Sequence, residues 1–195
     1  MLEVGCGKGE LARALDAAGY DMMAIDPLAP DGAIFRRIKL EDLEEDEQFD
    51  AVVASRAFHH MPSLDLNLEH VARALAGGGP FIVDEFAWDR LDEPTADWYE
   101  RQRRALEAAG TESRGVSVAD WAAHHAGLTR SDELLAALRT HFEELAFERV
   151  PYLFRYLGGV ASAELEETLV DAGAIQALGF RFVGMPREVP ALKDV

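Results

Sequence analysis

The sequence predicts an α/β fold: a doubly wound, mainly parallel sheet of seven strands, with helices on both faces and an inserted helical cap. Short apolar runs alternate with helical patterns over residues 1–86, and parallel strands need helical crossovers of this kind. From residue 88, several helical patterns follow one another with no strand pattern between them. Such a series predicts a cap inserted into the sheet.

Four short apolar runs and one mixed run in the first half of the chain predict the parallel strands. The apolar runs lie at residues 1–4, 22–25, 51–54 and 81–83, and the mixed run, which would be the third strand, at residues 35–40. Apolar residues at helical spacing predict a helix that ends near Gly19, and a second helix over residues 64–76 that the following glycines end. The acidic run at residues 41–47 predicts a solvated connection.

The second half begins with the cap. Helical spacing predicts helices over residues 92–109, 117–125 and 131–139, the second of them capped by Ser117. Two further strands are predicted at residues 142–152 and 180–185. We expect Ser162 to cap a helix over residues 163–172, with Leu165 and Leu169 turned inward, and a loose tail from Pro186.

Length and composition predict one domain in a reducing compartment. With 195 residues, 49% of them hydrophobic, the chain can bury one core. We expect a single domain made of a ligand-binding half at 1–87, the cap at 88–141, and the final strands with their helix at 142–195. The single cysteine, Cys6, excludes an internal disulfide and a multi-cysteine zinc site, and favours the cytoplasm.

Charge and hydropathy argue against two classes of partner. The net charge of −17 disfavours nucleic acid and anionic membrane surfaces, because both would be repelled. No run approaches the roughly 18 apolar residues of a membrane span, and no segment resembles a signal peptide. We therefore expect neither nucleic acid nor a membrane as a partner.

Three alternating glycines separate the first strand from the first helix. Gly5, Gly7 and Gly9 would let a ligand approach bare backbone, and the helix N-terminus that follows offers unpaired N–H groups. Dinucleotide loops prefer a further glycine at position 10, where this chain has Glu10. A carboxylate beside a pyrophosphate is repelled, so the loop favours a ligand that lacks phosphates.

Asp26 ends the second strand, about 17 residues beyond the last of these glycines. An acid near this offset in such folds binds ribose hydroxyls, because a carboxylate accepts two hydrogen bonds from a vicinal diol. Asp before Pro at a strand end is also ordinary turn chemistry. The glycine loop upstream favours the ribose interpretation.

Four segments in order resemble the class I S-adenosylmethionine-dependent methyltransferases. Residues 2–9 resemble the first motif of that family, and Asp26 falls at the position of its ribose-binding acid. Residues 49–61 resemble its fourth-strand segment, and residues 72–79 the helix and glycine turn before its fifth strand. The resemblance implies a Rossmann-like fold with S-adenosylmethionine as cofactor.

The same resemblance implies a set of cofactor-binding residues. Glu3 would anchor the amino group, the glycines would pack against the amino-acid and ribose portions, and the adenine would lie near Leu40 and Glu41. The full implied set is Glu3, Gly5, Cys6, Gly7, Gly9, Asp26, Pro27, Leu40, Glu41 and Ser55. Two departures from the family are expected to matter: Lys39 stands where the family often has an acid, and the N-terminal helix that helps to close the pocket in relatives is missing.

Three residues near the fourth and fifth strands are candidates for catalysis. His59 and His60 follow the fourth strand, at the edge where open α/β sheets bind ligands, so either imidazole could act as a base or bind substrate. They could equally pack and cap the turn. Glu85 could orient a substrate or be a solvated strand end. We expect no metal, because Asp65 and Glu69 are poorly placed to join the two histidines.

The predicted reaction is in-line methyl transfer to a small-molecule acceptor. Aromatic and basic residues of the cap and of the later loop are core candidates that could also line an acceptor pocket: Trp88, Trp98, Tyr99, Trp121, His124, His125, Tyr152, Arg155 and Tyr156. Two alternatives are a catalytically impaired relative that binds the cofactor and an NAD(P)-dependent oxidoreductase. The sequence names neither the acceptor nor the oligomeric state.

Overall fold

The computed structural model describes residues 1–44, 48–111 and 115–187, and within these ranges it contains one seven-stranded sheet. The strands are β1 (Leu2–Val4), β2 (Met23–Ile25), β3 (Phe35–Arg36), β4 (Val52–Ser55), β5 (Phe81–Phe86), β6 (Phe142–Val150) and β7 (Gly179–Pro186). Their order across the sheet is β3-β2-β1-β4-β5-β7-β6. The pairs from β3 to β5 are parallel, whereas β7 runs antiparallel to both of its neighbours. The predicted mainly parallel sheet is confirmed.

Six α-helices accompany the sheet in the described ranges. They are α1 (Glu10–Ala17), α2 (Leu64–Ala74), α3 (Glu93–Ala108), α4 (Val118–His125), α5 (Ser131–His141) and α6 (Val160–Asp171). Helices α3, α4 and α5 follow one another between β5 and β6, as the predicted cap does. The side chain of Asp92 accepts a hydrogen bond from the Thr95 N–H and begins α3, and Ser117 caps α4 in the same way.

The core divides into three apolar clusters. The largest lies between the sheet and helices α2 and α5, and includes Leu68 and Leu138. An aromatic cluster beneath the cap joins Tyr99, Trp121 and Phe86. Strands β1 and β4 are almost entirely buried, which explains why β4 is apolar from Val52 to Ala54 rather than alternating. The charged residue of β1, Glu3, is buried as well. No helix in the described ranges is long and apolar enough to cross a membrane.

The third strand is shorter than predicted. Strand β3 covers only Phe35–Arg36, and Leu40–Asp42 forms a 3₁₀ turn instead of the end of a strand. The Asp42 carboxylate accepts a hydrogen bond from the Lys39 N–H at 3.3 Å, so local capping overrides the extended conformation. Strand β5, in contrast, continues to Phe86, which puts Glu85 inside the strand rather than after it.

Helix α6 also differs from the prediction. It begins at Val160, so Ser162 lies inside it, where its hydroxyl donates to the Leu157 carbonyl at 2.6 Å. Leu165 is 48% exposed, and the prediction that it faces inward is wrong. The neighbouring Glu166 is fully buried in its place, because it accepts hydrogen bonds from three backbone N–H groups. Part of the acidic connection, residues 45–47, and the tail from residue 188 lie outside the described residues.

Candidate functional site

Two adjoining cavities lie along the edge where strands β1, β2, β4 and β5 end. The cap cavity, of about 540 Å³, lies between the glycine loop and the cap, and its walls include Glu3, His59 and Tyr152. The edge cavity, of about 520 Å³, extends over the ends of β1 and β2, and its walls include Asp26. Both cavities are lined by Gly5, Gly7, Arg56 and His60. The site can therefore hold two ligand portions that meet at these four residues.

The glycine loop is built from left-handed backbone. Gly5 has φ +73° and Gly7 has φ +50°, values that side chains rarely allow. A Cβ on Gly5 would lie 2.4 Å from the Cβ of Ala57, whereas one on Gly7 would meet nothing within 4 Å. Gly5 is thus required by the close approach of the β4 loop. At Gly7, the space that a side chain would fill is part of the two cavities.

Gly9 was predicted to contact the cofactor, but it lies away from both cavities. It is buried and lines neither cavity, and a Cβ there would lie 2.4 Å from the Phe35 ring. Its backbone is left-handed, at φ +74°, and it begins helix α1. Gly9 therefore serves the packing of the helix start on Phe35. The other nine predicted cofactor residues each line at least one of the two cavities.

Glu3 presents an unsatisfied carboxylate oxygen to the cap cavity. The side chain is 3% exposed, and it accepts a hydrogen bond from the Ala12 N–H at the start of α1. Its Oε2 is buried without a hydrogen-bond partner among the described residues. Burial raises the pKa of this carboxyl, against the opposing effects of that N–H and of Arg56. An ammonium group of a ligand would supply the missing donor, because buried carboxylates need such partners.

Asp26 ties the glycine loop to the end of β2. Its Oδ2 accepts from the Gly7 N–H at 3.0 Å and its Oδ1 from the Leu28 N–H at 2.7 Å. The carboxylate lines the edge cavity beside Pro27, with Leu40 and Glu41 further along the wall. Oxygen lone pairs beyond those two bonds remain for ligand hydroxyls.

Glu85 is a buried hub beneath the histidines. Its Oε1 accepts from the N–H groups of Ala57 and Phe58, at 2.9 and 2.6 Å, and its Oε2 accepts from the Phe86 N–H at 3.0 Å. The same Oε2 lies 2.5 Å from Nδ1 of His59. Because a carboxylate only accepts, Nδ1 carries the proton and Nε2 keeps a lone pair. Glu85 is 1% exposed, so it orients His59 and is not itself a solvated strand end.

His60 and two cap histidines complete the imidazole-lined part of the cap cavity. His124 and His125 line it from helix α4, and the ring of His59 lies 4.1 Å from that of His60 between centroids. His125 is 3% exposed, its Nδ1 donates to the Trp121 carbonyl at 2.7 Å, and burial lowers its pKa. The described residues contain no group of three or more His, Cys, Asp or Glu placed to hold a metal ion.

The lowered pKa of His125 predicts acid sensitivity. Below about pH 6.5 the unfolded chain binds a proton that folded His125 resists, so the free energy of unfolding should fall as pH decreases. One such group contributes up to about 1.4 kcal/mol per pH unit, between its unfolded and its folded pKa. His125→Asn, which keeps a donor for the Trp121 carbonyl, should flatten this slope in urea denaturation. His70→Asn is the control, and an equal slope in both variants would contradict the assignment.

Aromatic residues form the far wall of the cap cavity. Phe86 and Tyr152 are stacked, with centroids 4.1 Å apart and ring planes at 13°, and Tyr156 lies beside them. The wall residues belong to the aromatic core cluster, and other predicted cap aromatics pack in that cluster without lining either cavity: Trp88, Trp98, Tyr99 and Trp121. A flat, apolar acceptor would fit against the exposed parts of the wall.

A second buried glutamate fixes this wall. Glu166 accepts hydrogen bonds from the N–H groups of Tyr152 and Leu153, both at 2.8 Å, and from that of Phe154 at 2.5 Å. Burial raises the pKa of Glu166, and these three bonds oppose the rise. Glu166, Phe86 and Arg56 were not among the site residues predicted from the sequence. For Phe86 and Arg56 a signal existed, because each follows or ends a strand at the ligand-binding edge.

Comparisons with known proteins found related sequences and related folds. A family model described as a methyltransferase domain matches residues 1–130. The human mitochondrial ubiquinone biosynthesis O-methyltransferase is 28% identical over 129 residues, which cover 57% of this chain and 35% of the human protein. The chain therefore matches about a third of the length of that relative.

Solved structures share the fold. An S-adenosylmethionine-dependent methyltransferase from Mesorhizobium loti superposes with a TM-score of 0.58 at 18% identity, over 94% of this chain and 89% of the other. The 1,6-didemethyltoxoflavin-N1-methyltransferase of Burkholderia thailandensis, solved with its substrate and S-adenosylhomocysteine, gives 0.59 at 16% identity, over 96% and 70%.

Proposed function

The chain belongs to the methyltransferase domain family, and from that premise we propose that it transfers a methyl group from S-adenosylmethionine to a hydroxyl group of a small aromatic molecule. The observation that carries the proposal is that His59, held by the buried Glu85, and Glu3 with its unsatisfied oxygen line the same cavity. His59 suits the proton of a hydroxyl group, and Glu3 suits the ammonium of the methyl donor.

The residues of the two cavities fit the methyl donor. Oε2 of Glu3 would bind its ammonium, Gly7 leaves room for its amino-acid portion, and Asp26 would bind the ribose hydroxyls. When bound, S-adenosylmethionine supplies a methyl group on a sulfonium, which is an already activated leaving group. The protein then contributes mainly by holding the reactants in line, an effect that can lower a barrier by roughly 7–11 kcal/mol.

His59 is the proposed general base. Its Nδ1 proton is held by Glu85, so Nε2 is free to accept the proton of an acceptor hydroxyl in the cap cavity. The Glu85 carboxylate then stabilises the imidazolium. A base of this kind typically contributes about 10²–10⁴-fold, and it is needed only where the acceptor is protonated at the start.

Oxygen is the acceptor atom that this arrangement favours. The curated human relative is named as an O-methyltransferase, and an oxygen acceptor agrees with a base beside the reacting position. The stacked Phe86 and Tyr152 favour an aromatic ring. The buried free thiol of Cys6 fits a reducing compartment, so we propose a cytoplasmic enzyme, although the human relative is mitochondrial.

Calorimetric titration tests the donor site. The wild type should bind S-adenosylmethionine and S-adenosylhomocysteine but not NAD(P), and Asp26→Ala should weaken binding of both sulfur compounds at least tenfold through loss of the ribose contacts. Asp26→Asn, which keeps one acceptor oxygen for the loop, should lose less affinity. Asp31→Ala removes a carboxylate whose side chain is 95% exposed and is the matched control.

The outcomes separate the alternatives. No binding of either sulfur compound by the wild type would overturn the proposed function, and unchanged affinity in Asp26→Ala would refute the ribose role. Tight binding without turnover of any hydroxylated aromatic probe would identify a relative that binds the donor but does not transfer its methyl group.

A further inference from the structure

Arg56 lies at the junction of the two cavities in a conformation that arginine rarely adopts. It follows strand β4 and lines both cavities, three residues before His59. Its φ of +57° is left-handed, and within the described ranges only Ser63 is a further non-glycine residue with positive φ. Strained backbone at a cavity wall points to a use for the side chain.

The surrounding hydrogen bonds enforce this conformation. The Arg56 N–H donates to the Asp84 carbonyl at 2.7 Å, and the next two N–H groups, of Ala57 and Phe58, both donate to the buried Glu85. The chain is thus held on either side of the Arg56 Cα. Glu85 thus fixes both the backbone that follows Arg56 and the ring of His59.

The guanidinium has no partner of its own. Its nitrogens make no hydrogen bond or ion pair with any residue in the part of the chain that the structure describes. Other arginines near the site are engaged, as Arg155 and Arg181 both pair with Asp84. Arg56 therefore offers five donors and a full charge to a ligand.

We propose that Arg56 binds an anionic group of the methyl acceptor, so that the acceptor is an aromatic hydroxyl compound carrying a carboxylate. This inference rests on the proposed methyl-transfer function and names the substrate class of the same cavity. Arg56 and His59 would engage the carboxylate and the reacting hydroxyl of one molecule from adjacent positions in the same wall.

Charge balance favours the acceptor over the donor as the partner of Arg56. Arg56 acts electrostatically on Glu3 and opposes the rise of its pKa, but the free oxygen of Glu3 is the site proposed for the donor ammonium. Once that ammonium neutralises Glu3, the positive charge of Arg56 is left facing the cap cavity. The guanidinium also acts electrostatically on Tyr152 and Tyr156, which form the acceptor wall.

The overall charge of the chain strengthens this inference. At −17 the protein repels anions at long range, so an anionic acceptor requires a local cation where it binds. An uncharged phenol would leave the exposed guanidinium to water. A carboxylate would accept two parallel N–H bonds from it.

Binding of matched probes tests the proposal. The affinities of phenol and of the three hydroxybenzoate isomers are measured by calorimetry with the wild type saturated with S-adenosylhomocysteine. At least one isomer should bind at least tenfold more tightly than phenol. Arg56→Asn should abolish this preference, because Asn tolerates left-handed backbone but carries no charge, and Arg56→Lys should keep part of it.

Control measurements separate this proposal from its alternatives. Arg101→Gln, at an exposed arginine on helix α3, should keep the full preference. Equal binding of phenol and every hydroxybenzoate by the wild type would overturn the proposal. So would an Arg56→Asn variant that loses affinity for S-adenosylhomocysteine while its preference among acceptors is unchanged, since Arg56 would then belong to the donor site. Failure of the wild type to bind S-adenosylhomocysteine would instead overturn the methyl-donor function itself.

Discussion

Replacing Glu85 by Gln is expected to lower kcat for methyl transfer to a protonated hydroxyl acceptor by about 10²–10⁴-fold. The Gln carbonyl can still accept from the Ala57 and Phe58 N–H groups, so the fold should persist although the Phe86 N–H loses its acceptor. Its amide NH₂ would face Nδ1 of His59, which then becomes the acceptor. The ring proton of His59 then lies on Nε2. His59 keeps its place but can no longer accept a proton at that nitrogen.

An acceptor that is already ionised distinguishes this effect from structural damage. With 4-nitrophenolate at alkaline pH, Glu85→Gln should approach the wild-type rate, because no proton has to be removed. Glu148→Gln, at an exposed ion pair with Arg181, is the control. An equal loss of rate on the protonated and the ionised acceptor would rule out the proposed positioning role of Glu85.

Glu166→Ala is expected to destabilise the protein by about 3–5 kcal/mol. The variant would leave the N–H groups of Tyr152, Leu153 and Phe154 without their acceptor in a buried turn. Each unsatisfied buried donor costs about 1–3 kcal/mol, and part of that cost is relieved where water enters. Urea denaturation at neutral pH measures the change.

The next residue provides a matched control. Glu167 is exposed on the same helix turn, so Glu167→Ala should change the free energy of unfolding by less than about 0.5 kcal/mol. If the two alanine variants were equally stable, Glu166 would not hold the turn. If they differ as expected, Glu166→Ala should also weaken acceptor binding, because Tyr152 and Tyr156 are carried by that turn.

The donor side of the site was predictable because it depends on local rules. Gly5, Gly7 and Asp26 follow strands, and the ends of neighbouring parallel strands meet at one edge whatever the rest of the chain does. Gly9 looked equivalent in sequence, yet it packs on Phe35, a contact set by the position of β3. Spacing alone does not distinguish a glycine that meets a ligand from one that meets a side chain.

The acceptor side was less predictable because it depends on tertiary contacts. Helical periodicity predicted that Leu165 faces the interior. Glu166 is buried instead, because it binds the N–H groups of a turn more than ten residues away in sequence. For Glu85 the sequence likewise left a solvated strand end as an alternative, because its four hydrogen-bond partners are brought together only by the fold. A buried carboxylate is recognised only when the donors that surround it are known.

The two walls of the cap cavity come from separate stretches of the chain. The glycine loop and Glu3 belong to the first eleven residues, whereas Tyr152 and Tyr156 belong to a turn that follows the cap and β6. If the proposed roles hold, we expect that exchange of residues 118–128 and 152–157, in evolution or design, changes the preferred acceptor and leaves binding of the methyl donor unchanged.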